Sequence, residues 1–206
     1  MPIEFQYPAR DEKYVSRYSK DLLQQCMKAS GLAKIIITST YRSPEDQARV
    51  MLDNLSPTRT MYRGPGQDVE ALGKQYARER AAFEQGSLYG FNPNKPLPTT
   101  SQPRRVVEAA MAARIHRHEA ILGPGCVSHH QLNPIECNVI DISPRPIPLP
   151  ILQKFVGALT SSPLISRIGL PACVPKTHPK HFRETARCLH VEIPQFIDKL
   201  DGRVLA

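Results

Sequence analysis

The spacing of apolar positions changes several times along the chain, and each change marks an element. From Tyr14 to Ser30, Tyr18, Leu22, Leu23 and Cys26 fall at helical intervals and Ser30-Gly31 closes the stretch as a C-cap, which predicts an amphipathic helix. The run Leu32 to Thr40 is short and β-branched around Ile35-Ile36-Ile37, the pattern of a buried strand. Ser43-Pro44-Glu45-Asp46-Gln47 then supplies an N-cap, a proline in the first turn and two acids beside the positive end of a helix dipole. Between strand and helix stand Tyr41 and Arg42.

The stretch from Asp53 to Gln102 has a different texture. It opens with Pro57, Gly64, Pro65 and Gly66, carries a charged helical segment from Asp68 to Gln85, and ends in a Pro/Asn/Thr-rich run from Phe91 to Pro103. This reads as an insertion over 53–103 with one exposed helix, either a lid or binding loop or a passive surface excursion. Regular periodicity returns in a helix from Arg104 to Leu122, with Val107, Met111 and Ile115 on one face, four arginines on another, and His116 and His118 toward solvent. Further on, Cys137 to Ile142 reads as a strand, Pro144 to Pro150 as extended chain, Ile151 to Thr160 as a helix, Arg167 to Cys173 as a strand and Arg187 to Ile193 as the last strand. Pro194 is expected to start a short helix through Leu200, and His178 and His181 to lie exposed in a Lys-rich loop. The prediction is one α+β domain over 1–206: a small antiparallel sheet flanked by helices, with a helical insertion.

Composition narrows the function classes. The chain has 206 residues, 41% of them hydrophobic, enough for a proper core, and its 20 prolines imply much irregular chain. No apolar run approaches the roughly 20 residues that span a bilayer, and no internal repeat is visible, so a soluble, membrane-independent protein is expected. Met1-Pro2-Ile3-Glu4-Phe5 lacks a basic n-region followed by an apolar run, which predicts synthesis in the cytoplasm without a signal peptide. Five cysteines without CxxC spacing argue against a disulfide framework or a cysteine-built zinc site, and read as buried apolar thiols, although Cys126 and Cys137 are close enough in sequence to pair if oxidised. The net charge of +8 suits an anionic partner, either nucleic acid, anionic lipid or anionic cell-wall polymer. The basic residues are scattered and no nucleic-acid motif accompanies them, which leaves nucleic acid the weaker partner.

The chemistry concentrates around Ser128-His129-His130 and Asp141, with a further imidazole offered by Cys188-Leu189-His190-Val191-Glu192-Ile193. Two histidines and one aspartate, His130, Asp141 and His190, would hold a zinc ion on the sheet and leave one coordination position open, as a catalytic rather than a structural zinc requires. His129 is the alternative ligand if the loop shifts by one residue. Arg42, at a strand-to-helix turn, is placed either to hold a substrate carboxylate through two parallel hydrogen bonds or to pair with a nearby acid.

Three blocks resemble the M15 family of zinc D-Ala-D-Ala carboxypeptidases and peptidoglycan endopeptidases. Ile37-Thr38-Ser39-Thr40-Tyr41-Arg42-Ser43 is similar to the family's Ser-x-Tyr-Arg-Ser block, Ser128-His129-His130 with Asp141-Ile142 to Ser-x-His-x-x-Gly-x-Ala-x-Asp-Ile, and Leu189-His190-Val191-Glu192-Ile193 to its last zinc-histidine strand. The order matches, and the blocks span Lys34 to Leu200. Two departures stand out: the spacing from His130 to Asp141 is longer than the family's, and Arg187 stands where many members carry the acid that serves as general base. The resemblance implies a zinc hydrolase cutting amide bonds in peptidoglycan stem peptides, working in the periplasm or cell wall after delivery. Arg42 would bind substrate and Glu192 would act as the base, with Glu184 and Glu136 as alternatives. A catalytically inactive cell-wall-binding module of the same fold is the competing expectation, followed by a basic nucleic-acid-binding protein.

Overall fold

The computed structural model describes residues 1–55, 62–88, 104–183 and 188–195, with 77–88 described as backbone alone. It is α+β, with six α-helices and a six-stranded open sheet among the described residues. The residues group into two compact units, 1–41 with 132–206, and 42–131.

The first unit holds the sheet. Its strands are β1 (Ile3–Phe5), β2 (Ile35–Ser39), β3 (Cys137–Ile142), β4 (Arg167–Leu170), β5 (His181–Arg183) and β6 (Leu189–Pro194), in the order β1-β2-β3-β6-β4-β5. The four central strands are antiparallel as expected, but β1 runs parallel to β2 and β5 parallel to β4. The sheet is therefore mixed, and larger than the small antiparallel one predicted from sequence. Its two outer strands are three residues each, too short for a period-two pattern to stand out.

Alternation along the central strands gives the sheet two different faces. Ile140, Ile142, Ile168, Leu170, Leu189, Val191 and Ile193 point to one face, where they join Leu22, Leu23, Cys26 and Met27 of α2 (Arg17–Ser30) and Leu152, Phe155, Val156 and Leu159 of α6 (Leu149–Ser161) in a single core. Each large aliphatic side chain so buried contributes roughly 1.5–3 kcal/mol, which fixes the register: a slip by one residue would turn these side chains out of the core. Gly31 ends α2 in the left-handed conformation, with φ 71°, the C-cap predicted from its position. The other face carries Asp141, His190, Glu192, Arg167 and Gly169. Pro194 closes β6 instead of opening a helix, because it still pairs with Cys137 at the end of the ladder. The rest of the expected C-terminal helix, 196–200, lies outside the described residues.

The second unit is helical: α3 (Pro44–Asp53), α4 (Pro65–Leu88) and α5 (Arg104–Leu122). Ser43 caps α3 as predicted, its hydroxyl accepting from the Asp46 N–H. Ala48, Met51, Val69, Val107, Met111, Ala112, Ile115 and Val127 form this unit's own core, so the apolar stripe read on α5 is its buried face. Of the 53–103 insertion, α4 is described and 89–103 lie outside the described residues.

Candidate metal centre

Asp141 and His190 are opposite one another in the β3–β6 ladder, and Gly169 of β4 is opposite His190 on its other side. Facing residues of antiparallel strands project to the same side of the sheet, so the register that buries Ile140 against Val191 also brings this carboxylate to this imidazole. Asp141 Oδ1 is 3.1 Å from His190 Nδ1, and Glu192 Oε1 is 3.2 Å from His190 Nε2. Next to Asp141 the pairing of β2 is irregular: Ile37 pairs with Ile142 and Ser39 with Asp141, so one extra residue on β2 makes a bulge there.

His130 comes from the loop before β3. It lies in a single turn of 3-10 helix, His129–Gln131, and its carbonyl accepts the backbone N–H of Arg42 at 2.8 Å. The long spacing to Asp141 is taken up by a turn in which Asn133 accepts three times, its carbonyl from the Glu136 and Cys137 N–H groups and its side chain from the Ile135 N–H. His130, Asp141 and His190 are buried, and one ligand atom from each lies within 4.8 Å of the others. This group could hold a metal ion. Its donor set among the described residues, two imidazoles and a carboxylate, suits a borderline divalent cation as three ligands of a four-coordinate site. His129 is exposed and outside the group.

The electrostatics of the centre favour a cation. Burial opposes a charged His190, but the hydrogen bonds its ring donates to Asp141 and Glu192 outweigh it and raise the imidazole pKa to about 9. Two buried carboxylates thus demand positive charge between them, and an imidazolium or a divalent ion can supply it. Cys137, on the same face, takes no part: burial, and then the Glu192 charge, push its thiol up to about 11.

Arg42 is half-buried, and its Nη1 donates to Gln47 Oε1 at 3.3 Å, so the first turn of α3 braces the guanidinium. Of the alternative bases, Glu136 is exposed, and Glu184 lies outside the described residues together with Arg187. One expectation changes. His181 is buried in β5 rather than exposed in a loop, because its ring hydrogen-bonds Thr160 Oγ1 through Nε2 and accepts the Thr177 N–H at Nδ1. Arg167, expected only as the first residue of a strand, reaches Glu192 at 3.4 Å. Its two-residue spacing from Gly169 was the available signal, since it puts both on one strand face.

Compared with protein-family models, with characterised proteins and with solved structures, the chain matches none. No helix among the described residues is long and apolar enough to cross a membrane.

Proposed function

We propose that this chain is a zinc-dependent hydrolase of amide bonds in the peptide stems of bacterial peptidoglycan, acting in the periplasm or cell wall. The observation that carries the reading is the buried His130–Asp141–His190 group, whose residue types and chain order are those of the M15-like blocks. A zinc ion there would supply Lewis acidity toward the scissile carbonyl and the attacking water. The protein's own groups do the rest. Arg42 receives a substrate carboxylate in its planar fork, positioned by Gln47. Glu192 takes up the proton that the attacking water sheds; it is buried and sits on the same strand face as His190. A surface with net charge +8 favours approach to an anionic wall.

The second reading is a wall-binding module of the same fold without catalysis. It is favoured by the contacts of Glu192, whose Oε1 is engaged by both His190 and Arg167. Zinc content of protein purified without added metal, together with product release from purified peptidoglycan and from synthetic stem peptides, tests both. Zinc with hydrolysis supports the enzyme, zinc without hydrolysis supports the module, and absence of zinc overturns both.

A further inference from the structure

We propose that Arg167 is a positioning residue of the metal centre, acting through Glu192 and braced by Phe182 to fix the orientation of the His190 ring. The proposal rests on the metal reading above and adds residues that none of the M15-like blocks contains.

Four side chains close a circuit on one face of the sheet. His190 Nε2 meets Glu192 Oε1 at 3.2 Å, and the same oxygen meets Arg167 Nη1 at 3.4 Å. The Arg167 guanidinium lies over the Phe182 ring, 4.7 Å from its centroid, and that ring meets the His190 ring edge-on at 5.4 Å. The strands dictate the closure, because Arg167 is paired with Glu192, Gly169 with His190, and Phe182 with Gly169. Gly169 makes room for it: a Cβ there would stand 2.7 Å from Phe182 Cζ and 2.8 Å from His190 Cβ, closer than carbon atoms approach.

A single hydrogen bond leaves an imidazole free to swing about its ring torsion. Here Asp141 holds one nitrogen, Glu192 the other and Phe182 one edge, so the ring has one orientation as long as Glu192 stays where Arg167 holds it. Arginine suits this position better than lysine, because a flat guanidinium can stack on a ring and donate in its own plane at once.

The test uses wild-type protein, Arg167→Ala, Arg167→Lys and Phe182→Leu, each stripped with chelator and titrated with zinc. Ring-nitrogen resonances of His190 are recorded by NMR before any zinc is added. Arg167→Ala should weaken zinc binding by about 10–100-fold, the usual effect of losing a partner that orients a ligand, and should shift the His190 Nε2 resonance, with thermal stability little changed. Arg167→Lys should recover part of both. Unchanged His190 resonances in Arg167→Ala overturn the positioning role whether or not zinc binds. Wild-type protein that binds no zinc overturns the metal reading, while a shifted Nε2 resonance would still support the positioning.

Discussion

Asp141 Oδ1 stands 3.1 Å from His190 Nδ1, across a ladder whose opposite face is solid hydrophobic core. The two residues are 49 apart in sequence, and their meeting follows from strand register alone. Ile140 must face Val191 inside the core, so Asp141 must face His190 on the other side. Hydrophobic packing thereby preorganises half of the candidate metal centre.

Asp141→Asn keeps the shape of that pair and removes its charge. A hydrogen bond to a charged partner is worth about 1.5–3 kcal/mol, so the variant should unfold at a lower temperature. It should also lose the rise in melting temperature that zinc, if it binds only the folded state, is expected to give the wild-type protein. Thermal scans with chelator and with excess zinc measure both effects. A zinc-induced rise equal to that of wild type would exclude Asp141 as a ligand.

His181 gives the fold a dependence on pH. Its Nδ1 accepts the Thr177 N–H and its Nε2 lies 2.7 Å from Thr160 Oγ1, whose hydroxyl donates to the Val156 carbonyl. Only the neutral ring, protonated at Nε2, satisfies all of these contacts. Burial, then the nearby His178 and Lys176 charges, lower its pKa below the ordinary histidine value. The unfolded chain, with a histidine pKa of about 6.5, therefore binds the proton more readily. The stability His181 contributes is whole above about pH 6.5 and is lost as pH falls toward the lowered folded-state pKa. Urea titrations at pH 7.5 and pH 5 should show a smaller loss of stability for His181→Gln than for wild type, and parallel losses would exclude this histidine as the cause.

Long elements were legible in the sequence because their periodicity repeats. The helix read over Arg104–Leu122 and the strand read over Cys137–Ile142 have those bounds in the structure. The three candidate ligand residues were legible because two imidazoles and a carboxylate flanking strands are an uncommon combination. What stayed hidden depends on pairing between distant segments. The three-residue β5 has no periodicity of its own, and it becomes a strand by adding to β4. The burial of His181 and the edge-on contact of Phe182 with His190 follow from that addition. Arg167 likewise acquires its role only through being opposite Glu192.

Arg42→Lys separates substrate binding from folding. The variant keeps the positive charge and loses the fork that can hold a carboxylate by two parallel bonds. The Arg42 contact to Gln47 is 3.3 Å long, at the weak end of the range. The expected result is a KM for stem peptides raised by roughly tenfold, the factor that corresponds to about 1.4 kcal/mol of binding, with the melting temperature within a degree or so of wild type. A fall in stability matching the fall in activity would make Arg42 a structural residue.

Glu192→Gln addresses the proton transfer. Glu192 is buried, two residues beyond His190 on the same strand face, with Oε1 3.2 Å from the imidazole Nε2. Glutamine is nearly isosteric, and its amide oxygen can still accept a hydrogen bond from a protonated Nε2, though a weaker one than a carboxylate accepts. It cannot take up a proton. If Glu192 is the general base, the variant should lose about 10²–10⁴-fold in kcat while its zinc content stays at the wild-type level. If the carboxylate serves only to orient His190, the loss should be the smaller 10–100-fold typical of such partners, accompanied by weaker zinc binding. Parallel measurement of stem-peptide hydrolysis and zinc occupancy distinguishes the two, because only the first leaves a fully loaded, nearly inactive protein. Full activity with full zinc would remove Glu192 from the mechanism and direct the search for the base to Glu184 and Glu136.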